Sequence, residues 1–129
     1  MRTYTCYTDG GYDNVRKRNG YGSFRVITDT EDVIVRHRYP HIHSSNEAEY
    51  ETFIDLLRYL ELNLPDEPSE INVISDSKLM VNQINGIWKV GCQEILVYYK
   101  TACTLMANIK YPIILEWRPR KVLVKELGH

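Results

Sequence analysis

Residues 71–85 read INVISDSKLMVNQIN. INVIS is a short, continuous apolar run, the kind of strand that sits inside a parallel sheet. It passes through Asp76 into a short helix over 76–85, which Gly86 stops. On its N-terminal side lies SSNEAEYETFIDLLRYLEL, residues 44–62, whose apolar positions repeat with the helical period. LPDEPSE links the two. On its C-terminal side IWKVG leads to CQEILVYYKTACTLMANI, residues 92–109, with Ile95, Tyr98, Tyr99, Ala102, Met106 and Ile109 at helical spacing. PIILEW, residues 112–117, is a last strand with Pro112 at its tolerated first position. The tail RPRKVLVKELGH begins a helix and stops almost at once. Three strands open the chain. TYTCYTD, residues 3–9, ends at Gly10-Gly11 and a polar loop over 12–20 follows. YGSFRVIT (21–28) and EDVIVRHRY (31–39) form a hairpin around Asp29-Thr30. The order β-β-β-α-β-α-α-β, with no repeat or internal boundary, predicts an α/β domain spanning residues 1–129, a mixed sheet with helices on its faces.

Composition fits that reading. The chain has 129 residues, 43% hydrophobic and 26% charged, enough for one core. A net charge of -1 excludes a strongly basic nucleic-acid coat, though not a local basic site. Cys6, Cys92 and Cys103 form no CxxC pair and read as reduced core thiols. No apolar run is long enough to span a bilayer, and the N-terminus lacks a signal-peptide pattern. The expectation is a cytoplasmic monomer without a membrane or small-molecule cofactor.

Three acids stand out. With Glu49 at zero degrees and one hundred degrees per residue, Phe53, Leu56 and Leu60 fall within about forty degrees of it. Glu49 therefore sits mid-way across the face that packs on the sheet, where a carboxylate is costly unless paired or bound to a cation. A structural ion pair is the alternative. Asp9 and Asp76 each end a strand, and ligands of open α/β sheets bind beyond such ends. A turn residue for Asp9 and an N-cap for Asp76 are the plainer roles. Three convergent carboxylates suit hard cations, Mg²⁺ first.

YTDGG (7–11), NGYGSFRV (19–26), SSNEAEYETFIDLL (44–57) and ISDSKLMVNQINGIWKV (74–90) together resemble type 1 ribonuclease H in order and spacing, over about residues 3–117. The resemblance implies a ribonuclease H-like five-stranded mixed sheet. Strands 1–3 are antiparallel, strands 4 and 5 run parallel to 1, and strand 1 lies beside strand 4. It implies an endonuclease that hydrolyses the RNA strand of RNA–DNA hybrids and leaves 5′-phosphate and 3′-hydroxyl ends. Asp9, Glu49 and Asp76 would be the catalytic, metal-binding acids for two Mg²⁺ ions, with Mn²⁺ as a possible substitute. Gly10, Gly11, Ser44, Ser45, Asn46 and Lys78 would meet substrate. Trp88 matches an aromatic near the DNA strand, with a core role as the alternative. A nuclease for DNA or branched junctions, and a non-catalytic hybrid-binding module, are the competing readings of the same fold.

The departures are local. The loop after Asp9 carries Arg16, Lys17 and Arg18 in place of small residues, which suggests phosphate contact. No basic protrusion follows the NGIWKV segment. His41 and His43 are read as loop residues. The family's C-terminal Asp has no counterpart. Glu126 is the nearest acid and a candidate fourth metal ligand, with a solvated charge on a fraying end as the plainer role. His129 is weaker still.

Overall fold

The computed structural model describes residues 2–13, 19–67 and 69–128. Arg16, Lys17, Arg18 and His129 lie outside the described residues. The elements run β1 (Arg2–Asp13), β2 (Asn19–Ile27), β3 (Asp32–Tyr39), α1 (Ser45–Asn63), β4 (Ser69–Ser75), α2 (Lys78–Ile84), α3 (Gln93–Asn108), β5 (Ile113–Trp117) and α4 (Arg120–Leu127). They form a five-stranded sheet in the order β3-β2-β1-β4-β5. β1 is antiparallel to β2, and β2 to β3. β4 is parallel to β1 and to β5. The expected sheet is therefore the observed one.

α1 is the central helix. Ser44 caps it, its Oγ accepting the amide proton of Glu47 at 3.2 Å, and Pro65 follows its end. Phe53, Leu56, Leu57 and Leu60 are fully covered against Tyr4, Cys6, Phe24, Val26, Ile71 and Val73 of the sheet. Each such side chain stabilises the fold by about 1.5–3 kcal/mol relative to exposure. α3 packs along α1 through Ile95 and Ala102. Alternation along β2 puts Phe24 and Val26 on the α1 face and Ser23 and Arg25 on the other. α4 closes that second face with Leu123 and Leu127, both buried.

Two expectations change here. β1 does not end at Asp9. It continues to Asp13, pairing with β2 through Asp13 and Asn19. Only the ladder to β4 stops early, at Tyr7 and Ile74. The apparent strand end is thus the point where β1 loses one neighbour. Secondly, Cys6 is buried but Cys103 is only half-buried and Cys92 is exposed. Cys92 stands at the N-cap of α3 rather than inside it, so its thiol reaches solvent and donates to Glu94.

β1 and the first turn of α1 touch at Gly10. A Cβ there would lie 2.4 Å from the Ala48 carbonyl oxygen and 2.7 Å from the Glu49 nitrogen. Both are backbone atoms that cannot rotate away, so any side chain at position 10 lifts α1 off the sheet. Gly10→Ala is therefore expected to lower unfolding stability by about 2–3 kcal/mol, the scale of an overpacked core. Gly91→Ala, with nothing within 4 Å, should stay within about 0.5 kcal/mol. Urea melts of the two variants check the contrast.

Candidate metal centre

β1, α1 and β4 each deliver one acid to the same spot. Asp9 lies two residues past the end of the β1–β4 ladder, and Asp76 follows the last residue of β4. Glu49 comes down from α1 just past its first turn. Ligand oxygens of the three lie within 4.8 Å of one another. Asp9 and Glu49 are each 8% exposed and Asp76 is half-buried. The Gly10 amide donates to Glu49 Oε1, which fixes that carboxylate over the strand.

Asp76 is not the N-cap of α2. Ser77 takes that role, its Oγ accepting from the Met80 amide at 3.2 Å. Asp76 is thereby left to face the other two acids. Nor is Glu49 in an ion pair. Among the described residues, no salt bridge reaches any member of the trio.

The electrostatics record this. Burial, then the Asp76 charge and a hydrogen bond with it, push Asp9 up to about 7, against smaller lowering by the Arg120 charge and the Gly10 amide. Burial, then Asp9 and Asp76, hold Glu49 well above the usual carboxylate range. Three buried or half-buried oxygen donors with no salt-bridging partner among the described residues suit a hard divalent cation, which would relieve both the desolvation and the mutual repulsion. The residues present fit such an ion.

The family profile described as RNase H matches residues 1–109. The chain belongs to the RNase H family. Comparison with curated proteins gives no match. Among solved structures, the N-terminal RNase H domain of Rv2228c from Mycobacterium tuberculosis is 24% identical, with a TM-score of 0.79 over 99% of this chain and 92% of that one. LC11-RNase H1 in complex with an RNA/DNA hybrid is 22% identical, with a TM-score of 0.79 over 96% and 92% of the two chains. RNase H1 from the halophilic archaeon Halobacterium salinarum is 18% identical, with a TM-score of 0.80 over 98% and 92%. These likenesses are to type 1 RNase H domains and show the fold.

The remaining sequence candidates of this RNase H divide. Ser44 and Asn46 line a groove of about 500 Å³ between α1, α2 and α3, together with Gln83 and Lys89. Ser44 is already engaged as a cap; Ser45 and Asn46 are exposed on the same turn. Trp88 is 47% exposed, so it is not a core residue. Lys78 stands 4.7 Å from the centre of the Trp117 ring. Gly10 and Gly11 flank the trio on β1.

Glu126 does not join the trio. Its carboxylate accepts from Arg25 Nη1 at 3.0 Å, and its backbone carbonyl accepts from the same nitrogen. The C-terminal stub is a packed helix, so Glu126 is not a fraying charge, and its carboxylate is paired with Arg25 outside the Asp9–Glu49–Asp76 cluster. At the opposite end of α4 from Glu126, the first residue of the helix is Arg120, whose charge reaches Asp9.

Trp117 escaped the sequence reading. Its indole Nε1 donates to the Asp76 carbonyl at 3.1 Å, while the Arg118 amide bonds Ser75 O. The signal was available: Trp117 ends β5, the parallel neighbour of β4, and such strand ends lie together.

The sign of the pH effect follows. An acid whose folded pKa is raised above its unfolded value must hold its proton in the native state while the unfolded chain ionises. Its contribution is present below the unfolded pKa, near 4, and is lost as pH rises toward the folded value, about 7 for Asp9. Metal-free protein should therefore lose stability from this source between about pH 4 and 7. Asp9→Asn should be more stable than wild type at pH 8 in EDTA. Millimolar Mg²⁺ should raise the wild-type melting temperature and leave that of Asp9→Asn nearly unmoved. Thermal melts across pH, with and without the ion, check all three. Glu126→Gln should leave the metal dependence unchanged.

Proposed function

We propose that this RNase H cuts the RNA strand of RNA–DNA hybrids in a divalent-metal-dependent hydrolysis, leaving 5′-phosphate and 3′-hydroxyl ends. The observation that carries the reading is the converging Asp9–Glu49–Asp76 trio, which no salt bridge reaches among the described residues, at the carboxyl edge of an RNase H sheet.

Asp9, Glu49 and Asp76 would hold two divalent cations, Mg²⁺ before Mn²⁺ because every donor is a carboxylate oxygen. Bound there, the ions supply a nucleophilic water and charge stabilisation at the phosphate and at the leaving 3′-oxygen. The chain's part is positional. The Gly10 amide orients Glu49, Ser77 releases Asp76 from capping, and Trp117 fixes the Asp76 backbone. Asn46 and Ser45, exposed on the first turn of α1 shortly before Glu49, are suited to meeting the minor groove. There a 2′-hydroxyl offers both a donor and an acceptor, the chemistry that distinguishes RNA from DNA. The groove lined by Asn46, Gln83 and Lys89 continues that surface. Phosphate contact by Arg16, Lys17 and Arg18 remains part of the proposal on sequence grounds.

Labelled RNA–DNA hybrid, duplex DNA, duplex RNA and single strands, each with Mg²⁺, Mn²⁺ or EDTA, test it. Cleavage confined to the RNA of the hybrid and abolished by EDTA is expected. Asp9→Asn or Asp76→Asn should reduce the rate by at least about a thousandfold, since metal-borne charge stabilisation is worth several kcal/mol. Metal-dependent cutting of duplex DNA or junctions in preference to hybrid would overturn the substrate assignment. Near wild-type activity in Asp9→Asn would overturn the site.

A further inference from the structure

A second groove, of about 760 Å³, opens on the α4 side of the β1–β2–β3 sheet. Its position follows from register. Asp9 pairs with Ser23 and Ser23 with Arg36; in the next row on the same face, Gly11 pairs with Tyr21 and Tyr21 with Arg38. Strands lie about 4.8 Å apart, so each row carries side chains outward from β1 in short steps, and the first row begins at Asp9.

Arg36, Arg38 and Arg120 line this groove against one acid, Asp13. Such a balance is notable in a chain whose net charge is -1. Arg36 is fixed in place, Nη1 donating to Ser23 Oγ at 3.2 Å and Nη2 to the Leu127 carbonyl at 3.0 Å. Arg38 and Arg120 are exposed, and neither is in a salt bridge among the described residues. Tyr21 is 39% exposed, and its ring rests on β1 where Gly11 offers no side chain. A Cβ on Gly11 would lie 2.5 Å from the ring's Cζ. A positive groove with an aromatic platform is the combination that binds unpaired nucleotides, through phosphate contacts and base stacking. Its volume suits a ligand of small-molecule size, hence one or two nucleotides rather than a duplex.

We propose that this groove, with Tyr21 as stacking platform and Arg36, Arg38 and Arg120 as phosphate contacts, binds single-stranded RNA continuing from the cut strand beyond the hybrid. The choice of RNA rests on the function proposed above, because Asp9, where the cut strand would lie, begins the row of residues that leads through Ser23 to Arg36 in the groove.

The test measures binding in EDTA by fluorescence anisotropy, using a blunt hybrid and the same hybrid with a tail of about ten nucleotides on either the RNA or the DNA strand. An RNA tail should tighten binding at least about fivefold, the low end of one stacked base. Tyr21→Leu should erase that gain, and Tyr21→Phe, which keeps the ring, should retain it. Arg38→Ala should reduce the gain and lower the salt slope by about one. Circular dichroism and melting confirm that each variant is folded. Equal binding of blunt and tailed hybrids, a gain that survives both Tyr21→Leu and Arg38→Ala, or a gain from the DNA tail alone would each overturn the proposal. Cleavage of the blunt hybrid, run in parallel with Mg²⁺, reports on the nuclease assignment separately, since tail-dependent binding needs no turnover.

Discussion

The contact on which the rest of the molecule depends is the approach of α1 to β1 at Gly10. Helix backbone meets strand backbone there with no side chain between them. The same residue donates its amide to Glu49. One glycine therefore sets how closely the helix layer sits on the sheet and where the helix-borne carboxylate stops. Sequence neighbours on α1 divide the work: Ala48 makes the close contact and Glu49 turns toward the acids.

That closeness has an electrostatic cost. Folding brings three carboxylates within reach of one another at a site that excludes most water, and burial is the largest cause of the raised pKa values of Asp9 and Glu49. The hydrophobic packing of α1 on the sheet bears this cost in the metal-free protein. A divalent cation would reverse its sign, because a geometry that repels three anions is one that could coordinate a cation. Functional sites commonly hold such unfavourable arrangements that the surrounding structure over-determines.

The two faces of the sheet do different work. α1 and α3 cover the face that holds most of the core, and their ends with α2 form the groove that carries Asn46. The opposite face is only partly covered by α4. Arg25 and Arg36 tie that short helix down through Glu126 and the Leu127 carbonyl. Cations near a helix C-terminus interact favourably with its dipole, so the two arginines stabilise α4; Arg25 is neutralised by Asp32 and Glu126, while Arg36 adds charge to the face beside the helix.

Sequence alone was enough for the architecture and the trio. The element order, the period of α1 and the apolar run of β4 are local signals, and each sits within a residue or two of its observed place. Glu49 was legible because a lone acid on an apolar helix face breaks a strong pattern. Other features needed the third dimension. β1 looked finished at Asp9 because glycines weaken strand propensity, whereas β2 pairing carries it to Asp13. Whether Asp76 or Ser77 capped α2 turned on backbone angles that both residue types permit. Glu126 was the nearest acid in sequence, but the pairing of β2 with β1 places Arg25 beside it and removes it from the trio. Trp117 and Arg120 reach the site only because parallel strands end together and α4 starts beside them. Residue type and period determined what each segment is; which distant side chains meet was decided by strand register and helix docking, which no local stretch encodes.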